Sequence, residues 1–222
     1  METALEWASE TEEHWSCNAI EDGFLENKTL PEDPKTLRKI MVESLGLDDA
    51  NGVWGGKGIY VWYWRPGAGS DAWPLYVGKS QRGRSSFGSR MKTHIRHALN
   101  GKDFIYSPEE SWSRSRLVPK HDPRVEAPGD NHMVWVTEQF ARLSALLLPM
   151  KPELAEEIAG VAEGVLLEAI LRIHEDAGRM RGEKYDTVMN SPAKAHNASQ
   201  LGRELDSIKA QLCAWMREPA PI

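Results

Sequence analysis

The chain has 222 residues, 41% of them hydrophobic, and carries a formal net charge of −6, values that suit a folded domain with a packed core. Cys17 and Cys213 are its two cysteines, which excludes a disulfide framework and a cysteine-rich zinc site. No apolar run is long enough to cross a bilayer, and the glutamate-rich start (Glu2, Glu6, Glu10, Glu12, Glu13) is unlike a secretion signal, so a cytoplasmic or nuclear protein is expected.

Residues 1–50 hold 13 acids against 4 bases and read as an acidic helical extension. A short helix near the start is expected, then a clearer one from Pro34 to Leu45, where Leu37, Ile40, Met41 and Leu45 recur at helical spacing behind the Asp33 cap and a first-turn proline. Asp48 to Gly56, with Asn51-Gly52 and Gly55-Gly56, reads as a connector, and a domain is expected to begin near residue 51 and to run to about residue 190. Gly58 to Trp62 and Leu75 to Lys79 have strand character, and the turn formers from Arg65 to Asp71 make a hairpin the economical link. Antiparallel pairing would bring Tyr60 and Tyr76 together.

After a polar stretch from Ser80 to Ser89, a helix carries Arg90 and His94 four residues apart on one face and Met91, Ile95, Ala98 and Leu99 on another, ending at Asn100-Gly101. From Ala72 to Lys102 there is no carboxylate, whereas Lys79, Arg82, Arg84, Arg90, Lys92, Arg96 and Lys102 all fall there with His94 and His97. Such a stripe attracts phosphate backbones through counterion release, whatever the total charge. Residues 101–131 read as a long loop anchored by Trp112, Met133 to Thr137 as a third strand, and Glu138 to Leu148 with Pro152 to His174 as a helical hairpin. A last helix, Ser199 to Met216, lies in a C-terminal segment of residues 191–222 that packs on the domain through Leu201, Leu205, Ile208, Leu212 and Trp215. Trp54, Trp62, Trp64, Trp73 and Trp135 read mostly as core or strand-face residues.

Gly58-Ile59-Tyr60 followed by Tyr76-Val77-Gly78 and then Arg90 resembles the GIY-YIG nuclease domain. The resemblance covers Gly58 to about Asn190 and implies an α/β fold, a small and mainly antiparallel three-stranded sheet flanked by helices. It implies a metal-dependent endonuclease in which Tyr60 activates water, Tyr76 supports it, Arg90 holds the phosphate and Glu168 binds one Mg2+ or Mn2+. His94 would serve as base or leaving-group partner and Lys79 as a supporting residue. The family's asparagine would be Asn190, with Asn197 the alternative. Nucleic acid is the implied partner, DNA before RNA, bound through Arg82, Arg84, Lys92 and Arg96; no membrane partner is expected, and a homodimer stays open.

The residue chemistry agrees with these roles. Lys79, Arg90 and His94 beside Tyr60 are expected to lower its pKa towards that of a useful base. Arg90 offers a planar fork for a phosphate. Glu168, on an apolar helix, needs a cation to offset its burial, whereas Glu163, beside Gly164 on a different helical face, reads as more solvated. Two features depart from the family's pattern. Fifteen residues separate Tyr60 from Tyr76, more than is usual, and no asparagine stands about three helical turns after the glutamate. A catalytically inactive DNA-binding or scaffold module is therefore the rival reading. A third is an acidic front segment that covers the basic face.

Overall fold

The computed structural model describes residues 15–18, 33–64, 72–81, 83–100, 143–178 and 202–217. Strand β1 (Trp15–Asn18) and helix α1 (Pro34–Ser44) precede a 3-10 turn at Val53–Gly55. Then come β2 (Lys57–Trp64), β3 (Trp73–Ser80), α2 (Phe87–Leu99), β4 (Leu143–Met150), α3 (Pro152–Asp176) and α4 (Gly202–Arg217). The strands form one antiparallel sheet in the order β1-β4-β2-β3. The protein is thus α/β, with the expected antiparallel sheet and flanking helices. The sheet has four strands rather than three, because β1 adds a short edge from within the first fifty residues.

Local chemistry explains most of the elements. Asp33 accepts a hydrogen bond from the Thr36 amide at 2.9 Å, and Pro34 occupies the first turn of α1. On α2, Ser86 and Ser89 form a reciprocal capping box, satisfying amides that the helix itself cannot. Pro74 sits beside a register shift, where Trp62 pairs with Tyr76 and Tyr63 with Pro74. Pro74 is tolerated there because, among the described residues, β3 is the edge strand of the sheet and needs no amide donor on its outer side.

One expectation is overturned. The stretch read as the first helix of a hairpin, Glu138 to Leu148, is from Leu143 onward part of β4 (Leu143–Met150), paired to β2 on one side and β1 on the other. Leu, Ser and Ala favour or tolerate a helix, but an apolar run in the middle of a sheet is buried on both faces and shows no alternation to betray it. Pro149 gave the local hint, since it breaks a helix and sits here at a strand end opposite Gly58. Met133 to Thr137, the early part of Glu138 to Leu148, the loop 101–131, Trp112 and Trp135 lie outside the described residues, as does the start of the chain where a helix was expected.

Each sheet face has its own core. Ile59, Val61, Tyr63, Val77, Leu146 and Leu148 pack with α3 and α4. Tyr60, Trp62, Trp64, Leu75, Ala145 and Leu147 pack with Phe87, Met91 and Ile95 of α2 and with Leu37, Met41 and Val42 of α1. Helix α1 therefore shares the core around Tyr60. Among the described residues no helix is long and apolar enough to cross a membrane.

Candidate active site

Strand β2 carries Tyr60 into the α1/α2 side of the sheet, and two glycines make its position possible. At Gly58 the backbone has φ +140°, and a Cβ there would lie 2.2 Å from the Leu148 carbonyl oxygen of β4. Gly78 stands opposite Tyr60 on β3, and a Cβ there would lie 2.1 Å from Tyr60 Cζ and 2.3 Å from its Oη. The phenol ring therefore rests on the backbone of the second motif. Steric demand alone explains why both motifs carry glycine at these positions.

The ring of Tyr60 is fully buried, and its hydroxyl lies 2.8 Å from His94 Nε2, a buried hydrogen bond. Tyr76, two residues before Gly78 and on the same face, has its ring 6.1 Å from that of Tyr60 and 5.4 Å from the imidazole. Trp62 meets His94 edge-on at 6.4 Å, and Phe87 does the same to Tyr60 at 6.5 Å. Aromatic rings thus confine the imidazole and the phenol to one relative orientation. Arg90, one helical turn before His94, completes the group. Burial works against its charge, but the Tyr60 and Tyr76 phenols more than offset this, and its pKa is raised. Its Nε is buried with no hydrogen-bond partner among the described residues, a donor suited to an incoming anion.

The protonation of Tyr60 runs opposite to expectation. Burial pushes its pKa well above the ordinary phenol value and Tyr76 adds to this, while Arg90 pulls the other way without winning. At neutral pH Tyr60 is a neutral phenol. Cationic neighbours were expected to dominate, but a phenolate in a closed aromatic pocket loses more hydration than one guanidinium restores.

The remaining site residues lie elsewhere around β3. Lys79 follows Gly78, so its side chain leaves on the opposite face, where its Nζ lies 3.3 Å from Glu163 Oε2 on α3. Helix α3 is tied to the same strand nearer its other end, where His174 Nε2 donates to the Pro74 carbonyl at 2.7 Å. Glu163 is 2% exposed, so it is buried and not solvated as the sequence suggested. Glu168 is also buried, at 3%. It is five residues further on, which turns it about 140° around the helix from the side that meets Lys79. Of the two buried carboxylates, Glu163 is the one that pairs with Lys79 of β3. Among the described residues no group of three or more His, Cys, Asp or Glu side chains gathers as a metal cage.

Of the basic residues, Arg84 is exposed, and Arg96 is exposed with its guanidinium 3.3 Å from His97 Nε2. Lys92 pairs with Asp48 at 2.6 Å. Arg82, Asn190 and Asn197 lie outside the described residues. Sequence reasoning set Glu163 aside as solvated and gave Phe87 and Asp48 no part in the site. Gly160 was the available signal for Glu163: it stands one turn earlier on the same helix face, and a Cβ there would be 3.1 Å from Lys79 Nζ. Comparison of the chain with protein-family models, with curated proteins and with solved structures found no match.

Proposed function

We propose that the protein is a metal-dependent endonuclease of the GIY-YIG kind, hydrolysing phosphodiester bonds of nucleic acid, DNA before RNA. The observation that carries this reading is the Tyr60 to His94 hydrogen bond at 2.8 Å, in a pocket shared with Tyr76 and coupled to Arg90. The sheet in which β2 lies between β3 and β4 supports it by placing both tyrosine motifs on adjacent strands.

Because Tyr60 is neutral, it works as a relay. As an attacking water gives up its proton to the phenol oxygen, the phenol passes its own proton to His94 Nε2, so no isolated phenolate has to form in the buried pocket. Arg90 donates two hydrogen bonds to the phosphoryl oxygens as negative charge grows on them. Tyr76 holds the imidazole in place through its ring. A Mg2+ or Mn2+ ion would supply Lewis-acid stabilisation of the phosphoryl and leaving oxygens, and the two buried carboxylates of α3, Glu163 and Glu168, are the candidates to hold it. Arg84, Lys92 and Arg96 attract the backbone of the nucleic acid.

The test uses supercoiled plasmid with Mg2+ or Mn2+, and compares wild type with Tyr60→Phe, Arg90→Ala, Glu163→Gln and Glu168→Gln purified in the same way. Nicking by wild type that is lost in Tyr60→Phe, in Arg90→Ala and in one of the two glutamine variants is the expected result. Intact plasmid that is still shifted on a gel points to a binding module without catalysis. The glutamine variant that loses nicking, Glu163→Gln or Glu168→Gln, identifies the metal carboxylate.

A further inference from the structure

We propose a second activity in the Tyr60 pocket: Tyr76 Oη attacks the phosphodiester itself, joining DNA to the protein as a phosphotyrosine and allowing the strand to be resealed. The inference rests on the reading of this pocket as one that acts on phosphodiesters. The pocket has two layers. Tyr60 and His94 are buried, at 0% and 9% exposure, whereas Tyr76 and Arg90 are partly exposed and form its mouth. A phosphate that reaches Arg90 therefore meets the Tyr76 phenol before that of Tyr60. After burial, the neighbours felt by Tyr60 include Tyr76, and those felt by Arg90 include both phenols, so Tyr76 Oη stands between the guanidinium and the relay phenol. Strands β2 and β3 and helix α2, which supply these four side chains, carry no carboxylate. The hydroxyls of Ser89 and Thr93, on the same helix as Arg90, donate to carbonyls of their own chain at 2.9 Å each. The side-chain oxygen placed to attack beside Arg90 is thus phenolic, and a nucleophile fixed beside its target avoids the entropy that a free water must lose.

In this step the bond from Tyr76 Oη to phosphorus forms as the bond from phosphorus to a deoxyribose oxygen breaks. The Tyr76 proton passes to Tyr60 Oη, which hands its own to His94 Nε2, 2.8 Å away. The leaving deoxyribose oxygen takes a proton from solvent, and His94 later returns one. One phosphodiester replaces another and nothing is oxidised or reduced, so attack by the released hydroxyl on the phosphotyrosine reverses the step and closes the strand.

The experiment mixes the full chain with supercoiled plasmid and Mn2+ and stops the reaction with SDS. Gels read protein-linked DNA and relaxed closed circles, and mass spectrometry after nuclease digestion reads which residue carries a nucleotide. Wild type should give both products, with the nucleotide on Tyr76. Tyr76→Phe keeps the ring and should lose the adduct and the relaxed closed circles, whatever nicking it retains. Tyr60→Phe leaves the nucleophile but breaks its proton route, and should lower the adduct at least about 100-fold. Nicking by wild type with no adduct and no closed circles overturns the strand transfer and leaves hydrolysis standing. An adduct on any residue other than Tyr76, or one that persists undiminished in Tyr60→Phe, overturns the assignment of nucleophile and relay. Plasmid neither nicked, linked nor relaxed overturns the reading of the pocket itself, and the transfer with it. Should Tyr76→Phe fail to fold, the residue mapped in wild type decides.

Discussion

Gly78→Ala is the sharpest probe of the Tyr60 pocket. The new Cβ would lie 2.1 Å from Tyr60 Cζ, and relief to an ordinary carbon contact of about 3.5 Å requires a shift of about 1.4 Å. Tyr60 cannot supply this freely, because its ring is fully buried and backed by Phe87 at 6.5 Å. A displacement of that size carries the hydroxyl out of reach of His94 Nε2, now 2.8 Å away. Overpacking costs about 1–3 kcal/mol and a lost buried hydrogen bond about 1 kcal/mol more, so destabilisation of about 2–4 kcal/mol is expected. For a chain of this size that is a fall of roughly 5–15 °C in Tm, read by calorimetry or by circular dichroism. Gly83→Ala is the control: Gly83 has φ +56° but nothing within 4 Å of a Cβ, so only backbone strain of about 1 kcal/mol is added. Nicking by Gly78→Ala should fall about 100-fold, the scale of a 1 Å misplacement of a catalytic group. A Gly78→Ala protein that melts within a degree or two of wild type, with the Tyr60 to His94 hydrogen bond intact by NMR, would refute the packing argument.

Three further outcomes follow from the same geometry. Tyr60→Phe keeps the ring and removes the relay oxygen, so it should fold, lose about 1 kcal/mol and reduce plasmid nicking at least about 100-fold. The raised Tyr60 pKa has a pH signature: a group whose folded pKa exceeds its unfolded value contributes stability that is complete below the unfolded value, about 10 for a phenol, and lost as pH rises towards the folded one. Wild-type Tm should accordingly drop from about pH 10 upward more steeply than that of Tyr60→Phe, and absorbance titration should show one fewer phenol ionising before unfolding. Asp48→Asn frees Lys92 from its 2.6 Å ion pair and removes an acid from the basic face, so duplex DNA should bind up to about fivefold tighter in low salt, with the difference fading at high salt. Gel-shift titrations at two salt concentrations measure it.

The geometry also changes how the acidic front segment can be studied. Leu37, Met41, Val42 and Leu47 share a core with Tyr60, so removing residues 1–50 would strip one wall from the pocket. Single charge changes such as Asp48→Asn are the cleaner way to ask whether that segment shields the basic face.

The local chemistry of the chain was enough to place Tyr60 and Tyr76 on paired strands, to put Arg90 and His94 on one face of α2, and to bound α1, α2, α3 and α4 closely, because caps, glycines and helical spacing act within a few residues of themselves. Strand β4 was hidden because an apolar run buried on both faces has no periodicity, and its strand state comes from lying between β1 and β2. The direction of the Tyr60 shift and the burial of Glu163 against Lys79 were likewise hidden. Both depend on which groups surround a side chain after folding, so desolvation at Tyr60 and the orientation of α3 against Lys79 are properties of the assembled sheet and helices.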